Sequence, residues 1–386
     1  GDFIMKKILI FYGSYGGGHL SAAKSIKEYI DTNYLNIETN LVDCVECINK
    51  FLNKVSTKAY SDMAKHAPWA WKKVYSSSKN GSLSHISNTA NRIMSIKLLK
   101  IIQNFVPDLI ISTHPFSSQM CSILKKKNKL YCKIATVMTD YAPHNQWLVN
   151  SDYIDYYFVA HSGMKESLIS SGVSKSKIYV TGIPLSNRFL LHYDRKQILS
   201  EFGLKENKTT ILFFAGGAFG LGKSKTYEIL QSFIDFLPDF QIVAISGKNE
   251  KMKKRFDELV ETTHSNDTVK ILEYTNKVPE LMNISDLVIT KPGGLTITES
   301  LASGLPIIII NPIPGQEEEN AKFLEEKQVA IWIKKEDNPK DVLMSLFNNK
   351  EKMEKMKINA SLLAKRDSTK NICNILLNNK GTDIIT

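Results

Sequence analysis

Apolar residues fall along this chain in short blocks separated by amphipathic stretches. The opening MKKILIFYGSYGGGH passes from an apolar block straight into a glycine loop, and over residues 19–34 Ala22, Ala23, Ile26 and Ile30 share one helical face. That order predicts strand, glycine loop, helix. Apolar blocks at residues 37–42, 109–112, 132–138, 156–159 and 178–180 predict further strands, with helical patterns between most of them. The second half restarts the pattern. TTILFFAGGAFG reads again as strand and glycine loop, residues 225–236 as a helix, and residues 241–245, 269–272, 287–290 and 306–310 as strands. Strands alternating with helices imply parallel sheets covered on both faces.

A boundary is expected near Gly182, Ile183 and Pro184 and the polar stretch after them. The expected fold class is α/β: two Rossmann-like doubly wound domains, residues 1–186 and 187–365, facing each other across a central cleft. Residues 366–386 are expected to form a last helix packing back toward the first domain. Ligands of such domains bind at the carboxyl ends of the strands, so both glycine loops should face the ligand.

Composition narrows the class. With 43% hydrophobic and 23% charged residues among 386, the chain is too apolar to be disordered and too polar to span a membrane repeatedly. The longest apolar stretch, residues 306–314, is broken by prolines, and the start lacks the pattern of a signal peptide. Five scattered cysteines argue against a disulfide framework. A cytoplasmic location is expected.

Charge is unevenly placed. Residues 1–188 hold 23 Lys+Arg against 12 Asp+Glu, whereas residues 189–386 hold 27 of each. Within the first half, residues 51–105 hold 9 basic residues and 1 acidic residue, a field that seeks an anionic partner. Trp69, Trp71 and Tyr75 interleave there with Lys72, Lys73 and Lys79, and residues 92–105 are apolar with spaced lysines. Aromatics among lysines suit an anionic lipid surface, and a solvated helix face is the plainer alternative. No nucleic-acid-binding motif accompanies the charge, so nucleic acid is not expected as a partner.

Three segments of the second half carry candidate chemistry. From Gly217, GAFGLGKS satisfies the P-loop pattern, which alone would suggest a nucleotide hydrolase. No later strand ends in the Asp that such an enzyme needs for magnesium, because Asp286 precedes its strand. The loop can still offer backbone N–H groups to a diphosphate. In KPGGLTITES, Pro292, Gly293 and Gly294 turn the chain into a helix beginning near Leu295 and Thr296, and the N-terminus of that helix is a second anion site. Glu299 lies one turn further, placed to accept from a ribose diol or to serve as an ordinary helix acid. Gln316, Glu317 and Asn320 suit sugar hydroxyls or simply a solvated helix start.

In the first half, Gly17 and Gly18 lead into His19, an imidazole at a helix start where the neutral form needed by a general base is favoured. A capping role is the alternative. TDYAPHNQW adds Asp140 and His144 after a strand, as a second base, an orienter or loop anchors, and His114 is another strand-end histidine. Cys44 and Cys47 form a C-x-x-C with no second pair, and no D-x-D or other metal constellation appears, so no metal is expected.

The GGGHLSAA loop, the TGIP hinge, the GGAFG loop, the KPGGLTITES helix and the PGQEEENA segment occur in that order and together resemble the family-28 glycosyltransferases of the GT-B fold. Within that family the chain looks like the monogalactosyldiacylglycerol synthase and processive diacylglycerol glucosyltransferase branch, the MurG-type enzymes being more distant. By this resemblance Glu299 falls on the ribose-binding glutamate, and Gln316 and Glu317 on the pair contacting the donor sugar. Ala218, Phe219 and Gly220 fall on the loop near the donor phosphates, and His19 on the base that activates the acceptor hydroxyl. The MurG-type branch has two glutamines where this chain has Gln316 and Glu317.

The resemblance implies a metal-independent, inverting UDP-hexose:1,2-diacylglycerol 3-beta-glycosyltransferase. Its partners would be UDP-glucose or UDP-galactose, diacylglycerol and an anionic membrane surface on the inner face of the cell membrane, with UDP-sugar as co-substrate and no cofactor. A P-loop hydrolase and a non-catalytic UDP-sugar sensor are the rival readings.

Overall fold

The computed structural model describes residues 6–14, 17–44, 46, 88–215, 223–234, 239–247 and 249–377, with backbone alone at 88–96 and 223–225. Two compact units emerge. One takes the described residues up to Ser186 and returns at Lys365, and the other includes Asn187–Ala364.

In the first unit the apolar blocks become β1 (Lys6–Tyr12), β2 (Ile37–Asp43), β3 (Leu109–Ser112), β4 (Lys133–Val137), β5 (Tyr156–Val159) and β6 (Ile178–Val180). They form one sheet in the order β2-β1-β3-β4-β5-β6, parallel throughout. Between them run α1 (Gly18–Asn33), α2 (Asn88–Phe105), α3 (Pro115–Lys126) and α4 (Ser162–Ser170). Ile8 to Phe11 are fully buried, as a strand covered on both faces requires, and α1 buries the expected Ala22, Ala23, Ile26 and Ile30 against it. Strand order reverses between β1 and β3. His19, at the start of α1, and His114, just ahead of α3, follow those strands.

The second unit contains α5 (Arg195–Glu201), β7 (Thr209–Phe214), α6 (Lys223–Ile234), β8 (Phe240–Ile245), α7 (Glu250–Thr262), β9 (Val269–Leu272) and α8 (Val278–Ile284). It continues through β10 (Leu287–Thr290), α9 (Gly294–Ala302), β11 (Ile307–Ile309), α10 (Gln316–Glu326), β12 (Ala330–Trp332), α11 (Pro339–Phe347) and α12 (Lys350–Leu363). Its parallel sheet runs β12-β11-β10-β7-β8-β9, the doubly wound order with its switch between β7 and β10. The edge strand β12 was not among the predicted elements.

The last helix, α13 (Ser368–Leu377), packs on α1, and its Ile372, Cys373 and Leu376 join Ile8, Ile10 and Ile26 in one core. Its entry is stitched to the TGIP segment. Ser368 Oγ donates to the Ile183 carbonyl at 2.6 Å, and the Thr369 hydroxyl accepts from Leu185 N–H at 2.9 Å and donates to the Leu185 carbonyl at 2.8 Å. Gly182 sits at φ 87°, where a Cβ would fall 2.4 Å from that of Lys365. Only glycine suits both the backbone angle and the space. Among the described residues no helix is long and apolar enough to cross a membrane.

Candidate functional site

In the first unit, α1 begins at Gly18 with Gly17 at its N-cap and no side chain capping it. His19 follows, half-buried. Its Nδ1 lies 2.7 Å from the Thr113 carbonyl and 2.9 Å from the Thr139 hydroxyl. A carbonyl only accepts, so the proton sits on Nδ1 and Nε2 keeps a free lone pair. Desolvation pushes the imidazole pKa down to about 4, against the opposing pull of the Thr113 bond. The ring is neutral at physiological pH, the state of a base. Thr113 also holds the backbone, its hydroxyl donating to the His19 carbonyl at 2.9 Å.

His114 caps α3: its Nδ1 accepts from Phe116 N–H at 3.2 Å, and its ring stands edge-to-face on His19 with centroids 4.6 Å apart. Burial, with His19 and His144 nearby, holds its pKa well below the usual range. Asp140 follows Thr139 in the loop after β4 and is 9% exposed. His144 is half-exposed ahead of a short 3₁₀ turn, tilted 5.9 Å from Trp147. The same loop is anchored by His161, whose Nε2–H donates to the Tyr141 carbonyl at 2.8 Å. The structure thus brings His19, Thr113, His114 and Thr139 to adjacent strand ends. Thr113, Thr139 and His161 escaped sequence reasoning, although Thr113 stands beside the flagged His114 and Thr139 opens the flagged TDYAPHNQW stretch.

In the second unit, β10 runs into Lys291, Pro292 and Gly293, and Gly293 forms the N-cap of α9 without a side-chain cap. The N–H groups of Gly294, Leu295 and Thr296 therefore lack intrahelical acceptors at the positive end of the helix dipole. Open space lies over Gly293, where an added Cβ would meet nothing within 4 Å. Glu299 lies further along α9, its carboxyl pKa raised by burial to about 8.

The start of α10 is built around Gly315, at φ 101°, whose N–H donates to Glu318 Oε2 at 3.2 Å. Glu317 accepts from Ile313 N–H at 2.6 Å. Burial raises its pKa, while the Lys291 ammonium and the Ile313 N–H pull it back. Lys291 is itself lowered by burial, with Glu317 opposing. Gln316 is half-exposed beside this pair. Asn320 is fully buried and donates to the Pro292 carbonyl at 2.9 Å, so it ties α10 to the turn before α9. Asn311 Nδ2 donates to Thr226 Oγ1 at 3.2 Å, linking the end of β11 to α6. The beginnings of α6, α9 and α10 are thereby gathered at the carboxyl ends of β7, β10 and β11.

Gly217, Ala218, Phe219 and Gly220 lie outside the described residues, as do Trp69, Trp71, Lys72, Lys73 and Cys47. Asp286 is at the amino end of β10, accepting from Thr210 N–H at 2.8 Å, which is no place for a P-loop magnesium ligand.

Two family models match the chain: monogalactosyldiacylglycerol synthase over residues 19–185 and the glycosyltransferase family 28 C-terminal domain over residues 211–372. A processive diacylglycerol beta-glucosyltransferase of Staphylococcus epidermidis is 34% identical over 374 residues, 96% of this chain and 92% of that one. Its namesake in Bacillus pumilus is 32% identical over 391 residues, 99% and 96% of the two chains. Among solved structures, S. aureus MnaA with UDP superposes with a TM-score of 0.68 at 14% identity, covering 99% of this chain and 100% of that one. Acinetobacter baumannii MurG gives 0.64 at 12%, covering 97% and 99%. These likenesses show the two-Rossmann, GT-B-like fold. The chain belongs to the glycosyltransferase family of the monogalactosyldiacylglycerol synthases and processive diacylglycerol beta-glucosyltransferases.

Proposed function

We propose that this protein transfers a hexose from a UDP-sugar to the 3-hydroxyl of 1,2-diacylglycerol, with inversion and without a metal. The observation that carries the reading is the fixed tautomer of His19. Its Nδ1–H is committed to the Thr113 carbonyl, so Nε2 is free to take a proton. The acceptor hydroxyl attacks the anomeric carbon from the face opposite the diphosphate. Its proton passes to His19 Nε2, and the bond to the diphosphate breaks with its electrons leaving on UDP. A UDP-hexose carries its sugar in the α configuration, so a β product, as in the names of the relatives, requires inversion. Those names also favour glucose over galactose as the sugar.

The second unit holds the donor. Glu299 accepts from the ribose diol, and Gln316 and Glu317 face the hexose. The uncapped N-terminus of α9, with the glycine loop at Gly217–Gly220, receives the charge that develops on the diphosphate, a task that needs no cation. Asn320 supports the turn. The basic stretch of residues 51–105 suits a peripheral protein on an anionic membrane, on the cytoplasmic face where UDP-sugars and lipid meet. The test is incubation with UDP-glucose or UDP-galactose and diacylglycerol vesicles, followed by mass spectrometry of the lipid. A monohexosyl-diacylglycerol is expected. UDP release with no glycolipid would overturn the reading.

A further inference from the structure

His114 was flagged by the sequence, yet the transfer step gives it nothing to do. Its Nδ1 is spent on capping α3 through Phe116 N–H. Its carbonyl is held by the hydroxyls of Ser112, at 2.9 Å, and Ser117, at 3.0 Å. Backbone and ring are both pinned. The pinned ring meets His19 at an interplanar angle of 77°. Gly13, just past β1, lies against it. A Cβ there would fall 2.6 Å from Cδ2, 2.8 Å from Cγ and 3.0 Å from Nε2 of the His114 ring. The chain has dispensed with a side chain at Gly13, and His114 occupies the room.

His19 needs such a neighbour. An imidazole turns broadly about its Cβ–Cγ bond. The contacts to Thr113 and Thr139 both act at Nδ1, so they hold one corner of the ring. A half-turn would set a carbon against the Thr113 carbonyl and swing Nε2 away.

We propose, on the reading of His19 as the base, that His114 is a positioning residue for it. Wedged between the Gly13 backbone and the His19 ring, it holds the imidazole plane so that Nδ1 stays on the Thr113 carbonyl and Nε2 stays turned to the acceptor hydroxyl. It touches no reacting atom. Its own hydrogen bond to Phe116 fixes the wedge, and its ring fills the gap. These two duties can be separated. Asn is a strong N-cap but has no ring, whereas Phe has a ring but cannot accept from Phe116 N–H.

The experiment compares His114→Asn and His114→Phe with the wild type in three readouts. These are kcat and KM for UDP-glucose with diacylglycerol vesicles, urea stability, and the 15N tautomer signature of His19, assigned through His19→Gln. Asn should keep the fold but lower kcat by about 10- to 100-fold, the scale of a small misplacement of a catalytic group, with KM unchanged. Its His19 signal should move from a single Nδ1–H form toward averaged tautomers. Phe should be the less stable of the two yet keep kcat within about 3-fold and retain the single tautomer. A merely structural role would make activity follow stability, reversing that order. Wild-type kcat together with an unchanged His19 tautomer in His114→Asn would overturn the proposal. If the wild type makes no glycolipid, the reading of His19 as base fails, and the tautomer comparison still decides whether His114 holds the ring.

Discussion

Thr113 grips His19 at both ends of the residue: its carbonyl takes the ring Nδ1–H at 2.7 Å, and its hydroxyl donates to the His19 carbonyl at 2.9 Å. The two residues come from different elements, the end of β3 and the start of α1, which meet where the strand order reverses. A base held in this way and desolvated to a pKa of about 4 stays neutral over the physiological range. The kcat for transfer at saturating UDP-glucose should therefore lack a limb near pH 6.5 and fall only as pH drops through about 4. Stability has its own sign. Between 6.5 and 4 the unfolded chain binds a proton that folded His19 does not, so stability is lost as pH falls through that window. His19→Gln should lose less over the same window in chemical denaturation. An activity limb at 6.5 would remove His19 from the base role.

On the proposed donor role, Glu299 should link donor binding to protons. Its carboxyl, raised to about 8 by burial, is neutral at pH 7 in the free protein, yet a ribose diol is best met by a carboxylate. UDP-glucose, whose own phosphates do not titrate near neutrality, should bind more tightly as pH rises from 6 toward 8, with release of a proton. Glu299→Gln should abolish that pH dependence, and Glu299→Ala should cost about 10- to 150-fold in affinity, the worth of a charged hydrogen bond. Calorimetry in buffers of differing ionisation enthalpy reads both. Binding should persist in excess EDTA.

Much of the fold was legible. Leu109–Ser112, Tyr156–Val159 and Leu287–Thr290 occur where the apolar blocks were read, because a strand buried on both faces is a mostly apolar run. The strand read at 306–310 shortens to Ile307–Ile309. β12, Ala330–Trp332, escaped sequence reading, although β6, an edge strand of the same three-residue length, did not. At the site, the glycine loop and His19 were visible as local strings. The partners of His19 were not, since Thr113 is 94 residues away and Thr139 is 120. Sequence proximity carries no sign of them until the sheet order is known. Asn320 shows the converse: a polar residue in a promising string is spent inside the protein on a carbonyl 28 residues upstream.

Gly182 tests the return of the chain. Its left-handed backbone and the 2.4 Å approach to Lys365 leave no room for a methyl group. Gly182→Ala should destabilise by at least about 1–2 kcal/mol from backbone strain alone. The loss should appear in denaturant unfolding, with UDP-glucose affinity at low temperature preserved. Wild-type stability in this variant would mean that α13 is not held as described.

The basic segment gives a membrane prediction. Each basic residue near an anionic bilayer contributes about 1 kcal/mol, so a few contacts suffice for vesicle binding. Sedimentation with anionic vesicles should show binding that high salt weakens but does not abolish, since Trp69 and Trp71 add unscreened apolar contact. Lys72→Glu with Lys73→Glu should reduce it while leaving UDP-glucose affinity unchanged. Equal binding by wild type and double variant would point to another face.

Transfer to diacylglycerol, as proposed, depends on His19 taking the acceptor proton. Its most direct test is glycolipid formation from UDP-glucose and diacylglycerol vesicles by the wild type, His19→Ala and Asp140→Ala, alongside UDP-glucose affinity for each. His19→Ala should lose about 100-fold or more in kcat, the scale of general-base catalysis, with donor affinity nearly intact. Near-normal turnover by His19→Ala, with turnover abolished in Asp140→Ala, would contradict it and move the base to the loop after β4.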